Sequence, residues 1–325
     1  MDPRLLQYYN RELQFLRELG GEFAREFPKI AGRLGLEGFE CTDPYVERLL
    51  EGFSFLAARV QLKMDAEFPQ FTQHLLEVLY PHYLAPTPSM IIARFLPDPT
   101  EGALEQGFVI PRDAELRSLL GKGEQTSCEY RTAHPVTLWP LEITEAHYFA
   151  GKEPIAALDL PEAHKIRAGI RLRLRTTQPG LPFSKLPLER LSLYLQGSDA
   201  LPMRLYEQLL ANVVTLVARP GQRPAPWHEV IPGPVIHRQG FAQDQALLPY
   251  VPPSFQGYRL LQEYFAFPQR YLFVELSGLG SATRRCAGEE LEILILFNRA
   301  DPALENRVAV ENFVLFCTPA VNLFP

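Results

Sequence analysis

The start of the chain carries a regular pattern of apolar positions that predicts a long amphipathic helix. From Leu6 onward, apolar positions follow one another at alternating steps of three and four residues, and together they form a seam along one helix face. The members of the seam are Leu6, Tyr9, Leu13, Leu16, Gly20, Phe23 and Phe27. Asp2 and Pro3 suit a helix start and Pro28 ends the pattern, so the sequence predicts a helix over residues 3–27.

The seam predicts packing against other helices, but it does not say where those helices come from. Further apolar residues widen the stripe, which suits a multi-helix bundle better than a two-stranded coiled coil. These residues are Leu5, Tyr8, Phe15 and Leu19. The neighbouring helices can belong to this chain or to another molecule. Because Gly20 has no side chain, a neighbouring helix can approach closely at that point of the seam.

Two further helices are predicted before residue 80. Asp43 and Pro44 mark the start of the second, since the carboxylate can accept a hydrogen bond from a free backbone amide and proline presets the first helical dihedral. Its apolar residues recur at helical spacing: Val46, Leu49, Phe53, Ala57, Val60 and Met64. Because Pro69 interrupts the pattern, a separate third helix is predicted over 71–79. The glycine-containing segment 31–42 is predicted to link the first two helices.

Beyond the proline-rich residues 85–88, short apolar runs bounded by turn residues predict β-strands of an antiparallel domain. The predicted strands are 90–95, 108–110, 115–120, 128–132, 136–138, 168–175, 191–195, 213–218, 271–276 and 291–297, with helices near 202–211 and 258–265. The stretch 219–226 is rich in proline and is predicted to be a linker. The expected fold class is therefore α+β. It comprises a helical region at 1–88, a β-rich domain with one inserted helix at 89–219, and a mixed α/β region at 220–325.

One strand has an unusual alternation of arginine and apolar residues. Residues 170–175 read Ile-Arg-Leu-Arg-Leu-Arg, so a strand here places three guanidinium groups on one face and the apolar side chains on the other. The arginine face can be a docking stripe for an acidic partner, or it can be the solvated face of a half-buried strand. The pattern favours the second interpretation.

Composition narrows the class of protein. The net charge is -6 and the pI is near 5.7, which argues against a nucleic-acid binder because phosphate neutralisation supplies most of that affinity. The four cysteines are scattered without a CxxC pair, so buried free thiols are expected instead of a zinc site or disulfides. Apolar stretches are too short to cross a bilayer, and the chain begins with an amphipathic helix instead of a signal peptide, so no membrane insertion and a cytoplasmic location are expected.

Catalytic chemistry is weakly represented in the sequence. The seven histidines accompany no HExxH, GxSxG or His-Cys arrangement. No catalytic, metal-ligating or cofactor-binding residue is therefore predicted, and no cofactor is expected. The alternative is an unrecognised enzyme with a pocket in the β-rich region, around His134 or His147. A cleft with convergent polar groups and shifted pKa values would favour that alternative.

Several longer motifs resemble one protein family. In the first 90 residues they are YYNREL at 8–13, EFA at 22–24, FPKIAGRL at 27–34, DPYVERLLEGF at 43–53, FLAARV at 55–60 and YPHYLAPTPSM at 80–90. Later ones are YRT at 130–132, LWP at 138–140, EYFAFP at 263–268 and CTPAVNLF at 317–324. The sequence resembles the N-terminal portion of the TssF family, also called VasA or ImpG, which are baseplate subunits of the bacterial type VI secretion system.

The resemblance implies a structural protein that is not an enzyme. Proteins similar to this one pair two TssF copies with one TssG subunit to form a wedge, in which helices of all three chains make a shared bundle. The resemblance makes the seam a candidate part of that bundle. It further implies TssK, TssE and the VgrG spike hub as partners in a baseplate docked at the inner face of the cytoplasmic membrane. Family members continue past residue 325, so this chain is expected to be part of a longer protein.

Overall fold

The chain folds into two compact units of different class. The computed structural model of the protein describes residues 2–36, 41–98, 102–120, 123, 126–151, 163–231, 233–249, 251 and 254–323. One unit comprises residues 1–85 and the other residues 86–325. The first is helical and the second is built mainly from antiparallel strands, which confirms the predicted α+β class.

Three α-helices and one short 3-10 turn form the described part of the first unit. They are α1 (Pro3–Glu26), α2 (Pro28–Leu34), α3 (Pro44–Leu79) and the turn Pro81–Leu84. Both long helices begin as predicted. The side chain of Asp2 accepts a hydrogen bond from the amide of Arg4 at 2.9 Å, and that of Asp43 accepts one from the amide of Tyr45 at 2.8 Å. Each carboxylate thereby satisfies a backbone donor that the first helical turn leaves free.

The helical unit differs from the sequence prediction in two places. α3 continues through Pro69, so the segment 71–79 is the last part of one 36-residue helix and not a third helix. The prediction was wrong because a proline within a helix removes one backbone donor while hydrogen bonding resumes on both sides. In addition, α2 occupies the start of the predicted linker and ends at Gly35, whose φ is 66°. Residues 37–40 of that linker lie outside the described residues.

The described part of the second unit contains the strands β1 to β15 and three α-helices. The strands are β1 (Met90–Arg94), β2 (Phe108–Ile110), β3 (Glu115–Arg117), β4 (Glu129–Thr132), β5 (Val136–Leu138), β6 (Leu141–Ala150), β7 (Ala168–Thr176), β8 (Arg190–Leu195), β9 (Val213–Pro220), β10 (Glu229–Ile231), β11 (Ile236–Arg238), β12 (Phe273–Ser277), β13 (Glu290–Phe297), β14 (Phe313–Leu315) and β15 (Cys317–Val321). The helices are α4 (Leu201–Ala211), α5 (Gln256–Ala266) and α6 (Gly280–Arg285).

The strands form antiparallel sheets around one main core. Their orders are β1-β15-β4-β3, β10-β9-β13-β7-β6, β11-β12-β8-β14 and the pair β2-β5. Strand β7 shows how alternation builds the core, because Ile170, Leu172 and Leu174 are fully buried on the inward face. β13 is buried along nearly its whole length since it lies between β7 and β9.

The expected division between residues 219 and 220 does not coincide with a division between compact units. Strands from both sides of that point pair in the same sheets: β9 pairs with β13, and β15 pairs with β1 and β4. Residues 219 and 220 belong to β9, and the rest of the predicted linker lies between β9 and its partner β10. Proline and glycine mark a connection within one domain as readily as a linker between two domains.

Candidate protein-interaction surface

The two long helices of the first unit run antiparallel and are joined by polar contacts at both ends of their overlap. Near the start of α1, the hydroxyl of Tyr8 donates to the carboxylate of Asp65, and this hydrogen bond raises the pKa of Tyr8. Near the other end, Arg17 forms an ion pair with Glu47. These contacts orient α1 against the first two thirds of α3.

The contact between α1 and α3 buries few side chains. No residue of α1 is buried, and the buried residues of α3 are Ser54 and Ala58. Both are small and lie one turn apart, which lets the helices approach closely. The hydroxyl of Ser54 donates to the carbonyl of Leu50 at 2.8 Å and is thereby satisfied. The pair of helices therefore lacks a large apolar core.

The structure divides the predicted seam on α1 between two environments. Tyr9, Leu13, Leu16 and Gly20 are half-buried, whereas Leu6, Phe23 and Phe27 are exposed. A Cβ atom added at Gly20 would lie 3.6 Å from Leu36, an ordinary van der Waals contact. The close approach expected at Gly20 is therefore not made within the described part of this chain.

The apolar stripe of α3 points away from α1. Leu49 is 72% exposed and Phe53 is 60% exposed. The residues that directly follow them are less exposed: Leu50 is half-buried and Ser54 is buried. Phe55 is exposed on another side of the helix, about 200° from Phe53. On the side of Leu49 and Phe53, the exposed apolar residues continue along α3 as Leu56, Val60, Met64, Phe68, Phe71, Leu75, Val78 and Leu79. We call these residues, with Leu49 and Phe53, the outer face of α3.

Charged side chains of α3 pair with one another along the helix. Arg48 pairs with Glu51, Lys63 with Glu67 at 3.9 Å, and His74 with Glu77 at 3.1 Å, all at spacings of three or four residues. The named residues of the outer face carry no charge, but the exposed Lys63–Glu67 pair lies among them, since Glu67 projects in about the same direction as Leu49 and Val60. At about 1.5 Å per residue α3 is about 54 Å long. Most exposed large apolar side chains of the described residues belong to the first unit. An exposed apolar surface of this extent is typical of a protein-protein contact.

The predicted alternative, a pocket near His134, corresponds to a real cavity in the second unit. It has a volume of about 260 Å³, and its lining includes His134, Ser192, Gln239 and Glu275. Burial, and secondarily the charge of Arg270, lower the pKa of His134 to about 3. A general base works best with a pKa near the operating pH, so this imidazole is poorly suited to proton abstraction near neutrality. His147, on β6, lies outside the lining of this cavity.

The arginine stripe of β7 lies on the face opposite the core and is paired with carboxylates. Arg175 donates to Glu142 on β6 at 2.9 Å, and Arg173 lies between Glu145 at 3.4 Å and Glu292 at 3.5 Å. Glu292 is fully buried and also pairs with Arg219. The arginines thus connect neighbouring strands through ion pairs. The sequence pattern favoured a solvated face, and the structure shows an ion-paired one.

The described part of the chain holds no group of three side chains that could bind a metal ion. The cysteines are free: Cys286 and Cys317 are buried as expected, whereas Cys128 is exposed and Cys41 is partly exposed. Among the described helices, none is both long and apolar enough to span a membrane.

Comparison with known proteins identifies the family. The model of the family described as "Type VI secretion system, TssF" matches residues 1–325. The chain therefore belongs to the TssF family, as the sequence motifs predicted. It is 58% identical over 325 residues to the type VI secretion system component TssF1 of Pseudomonas aeruginosa.

Solved structures include similar chains. One chain of a TssK-TssF-TssG baseplate subcomplex, determined by cryo-electron microscopy, matches 85% of this chain with 26% sequence identity and a TM-score of 0.64. A chain of another type VI baseplate complex matches 98% of this chain with 25% identity and a TM-score of 0.38. The chain spans about half the length of these relatives: 52% of the Pseudomonas protein and 49% of the chain in the subcomplex.

Proposed function

We propose that this chain is part of a structural subunit of a type VI secretion baseplate. Its α1 and α3 enter a helix bundle shared with TssG and a second TssF copy. The exposed outer face of α3 and the exposed ends of the seam on α1 support this role, because two helices with so small a mutual core need other helices to cover them. The similar chain belongs to a solved TssK-TssF-TssG baseplate subcomplex, which supports the choice of partners.

The role is mechanical and involves no catalysis. Binding energy over extended apolar surfaces holds the partners in fixed geometry. TssK, TssE and the VgrG spike hub are further partners in the assembled baseplate, which lies in the cytoplasm at the inner face of the cytoplasmic membrane. Neither nucleic acid nor lipid is a partner in this proposal. The cavity near His134 does hold polar groups and a shifted pKa, but the shift, to about 3, leaves the imidazole weakly basic near neutrality, which favours the non-catalytic role over the pocket-enzyme alternative.

The outer face of α3 can be tested directly. The double variant Leu49→Asp, Phe53→Asp places two carboxylates on this face. It leaves the free chain folded because both side chains are exposed there. We expect the amount of this chain that co-purifies with TssG of the same secretion system to fall at least tenfold. The molecular mass of the purified complex identifies it. Circular dichroism of the free variant should match that of the unchanged chain.

Two matched variants make the result interpretable. The double variant Leu119→Asp, Leu120→Asp places the same two charges on leucines of the second unit that are 95% and 59% exposed, and it should leave the complex intact. Leu13→Asp with Leu16→Asp changes seam residues that are half-buried, so it weakens the α1–α3 contact as well as any partner contact. Normal co-purification of the Leu49, Phe53 variant would show that the outer face of α3 does not bind TssG.

A further inference from the structure

Helix α5 has an unusual orientation, because its charged residues are buried. Arg259 and Glu263 are both fully buried and pair with each other at 3.0 Å. The carboxylate of Glu263 also accepts hydrogen bonds from the amides of Leu247 and Leu248 at 3.0 and 2.9 Å. Buried charges are tolerated only when they are paired and hydrogen-bonded in this way.

Two neighbouring residues complete the buried network. The hydroxyl of Tyr271 donates to Glu263 at 3.2 Å, and the fully buried Arg270 forms a second ion pair with the same carboxylate. Arg270 also donates to the carbonyl of Gln245 at 2.6 Å. Several directional contacts therefore fix the rotation of α5 about its axis. The charged side faces inward, and the opposite side is held outward.

The outward side of α5 is aromatic and uncharged. Its residues are Phe255, which precedes the helix, and Tyr258, Leu261, Tyr264 and Phe265, with exposed fractions between 43% and 81%. The rings of Phe255 and Tyr258 are T-shaped with centroids 5.5 Å apart, as are those of Tyr264 and Phe265. The two ionisable side chains of α5 other than tyrosines are Arg259 and Glu263, which face inward. We call this set of five residues the aromatic face of α5.

Tyr258 and Tyr264 lie symmetrically about Leu261, whereas Phe255 lies six residues before it and Phe265 four residues after it. Tyr258 lies three residues before it and Tyr264 three residues after it, so an aromatic pair flanks each side of a central leucine. At 100° per residue these positions lie on one half of the helix surface. A two-fold contact brings a residue i against j and j against i. In an antiparallel pair of α5 helices, Leu261 would meet Leu261, and Tyr258 would meet Tyr264.

We propose that the aromatic face of α5 binds the same face of a second copy of this chain, antiparallel and about a two-fold axis. No like charges would oppose each other, because the face carries none. With ~150–250 Å² for each aromatic side chain, the exposed parts of the five residues present on the order of 600 Å² per copy. A pair would then bury about 1,200 Å², the lower end of the range for specific interfaces. This face belongs to the second unit and shares no residue with the outer face of α3.

Site-specific cross-linking tests both the contact and its direction. The background replaces the accessible cysteines, Cys41→Ser and Cys128→Ser, and keeps the buried ones. With a short bismaleimide, Leu261→Cys should give a covalent dimer. A mixture of Tyr258→Cys and Tyr264→Cys chains should give at least fivefold more dimer than either variant alone. The control Leu96→Cys, at a 78% exposed leucine of the second unit, should give only background cross-linking.

A second measurement does not depend on the introduced thiols. Leu261→Asp should raise the Kd for self-association, measured by sedimentation, at least tenfold relative to Leu96→Asp. Equal cross-linking at residues 96 and 261 would overturn the proposal. So would dimers from Tyr258→Cys alone, which indicate a parallel contact, or protection of Leu261→Cys only by a different protein such as TssG. Self-association through α3 would be insensitive to Leu261→Asp, so failure here leaves the proposed baseplate role standing.

Discussion

Single buried polar residues organise the second unit where the hydrophobic pattern alone does not. His134 is 6% exposed, and its amide and carbonyl both hydrogen-bond the hydroxyl of Thr318 on β15 at 3.1 Å. Its ring meets Phe273 of β12 edge-on. The residue therefore connects two sheets, and its imidazole is kept neutral by burial. This placement explains a perturbed pKa without catalysis, since structural burial shifts pKa values as effectively as an active site does.

His134 should make stability depend on pH on the acid side. Its pKa falls from 6.5 to about 3 on folding, so below pH 6.5 the unfolded chain binds a proton that the folded chain does not. The free energy of unfolding should therefore decrease as the pH falls from 6.5 towards 3, by about 1.4 kcal/mol per pH unit.

Urea unfolding of the unchanged chain and of His134→Gln measures this effect. Between pH 6.5 and 5 the unchanged chain should lose about 2 kcal/mol more than the variant, because contributions of the carboxylates are common to both. Parallel pH profiles of the two proteins would show that His134 is accessible to protons in the folded state. Above pH 7 the difference between the two proteins should be constant.

Whole elements follow from the sequence better than the faces they present. The helical spacing in residues 44–68 predicted a helix, and α3 is one, but its apolar stripe is exposed because the small residues Ser54 and Ala58 take the contact with α1. The same holds for α5, where the core receives Arg259 and Glu263 instead of the apolar side. The spacing of apolar residues in a sequence indicates that a helix has an apolar stripe. Whether this chain or a partner covers it depends on contacts distant in sequence.

Strand β6 was missed for a related reason. Its ten residues, 141–150, contain charged and polar side chains among apolar ones without strict alternation. Its pairing with β7 shifts register between Ile143 and Glu145. A β-bulge of this kind breaks the period of two that marks a strand in sequence. The partner strand β7 alternates regularly and was predicted within one residue of its bounds.

A substitution at Gly20 can distinguish helix packing within the chain from helix packing against a partner. Since a Cβ atom at this position makes only an ordinary contact, Gly20→Ala should raise the free energy of unfolding of the helical unit by up to about 1 kcal/mol through helix propensity. The same methyl group should weaken the complex with TssG if a partner helix approaches α1 there. Thermal unfolding of the free chain and titration with TssG measure the two effects separately.

The neighbouring glycine supplies a control for this experiment. A Cβ atom at Gly21 would meet nothing within 4 Å, and this residue lies outside the seam. Gly21→Ala should stabilise α1 equally and leave the affinity for TssG unchanged. A lower unfolding free energy for Gly20→Ala would instead show that α1 is already crowded there in the free chain. Equal affinities of both variants for TssG would remove Gly20 from the partner surface.

At the scale of the whole molecule, the two units differ sharply in how much they bury. The second unit contains a continuous apolar core that spans its main sheets, whereas the first buries Ala31, Ser54, Ala58 and Tyr80. The family follows from sequence, because the motifs are dense. The abrupt change from helical to strand patterning predicts a boundary after residue 88, and the compact units of the structure meet after residue 85. The pairing of strands from both sides of residue 220 does not follow from the sequence, since strand pairing over such separations leaves no local signal.

The unequal cores predict two steps in denaturation. In urea, the helical unit of the free chain should unfold first and the β-rich unit at higher concentration, because stability scales with apolar area removed from water. Far-UV circular dichroism follows the loss of helix, and fluorescence of Trp139 and Trp227, both in the second unit, follows the later step. If TssG covers the helical unit as proposed, its binding should move the first transition towards the second. Coincident transitions in the free chain would contradict this description.

The exposed outer face of α3 should also affect the abundance of this protein in the cell. A copy made without its partners carries a long apolar helix surface and a weakly stabilised unit, which are the features that chaperones and proteases act on. We therefore expect unassembled copies to be removed faster than assembled ones. If the proposed partners cover this face, their supply would then set the abundance of this chain.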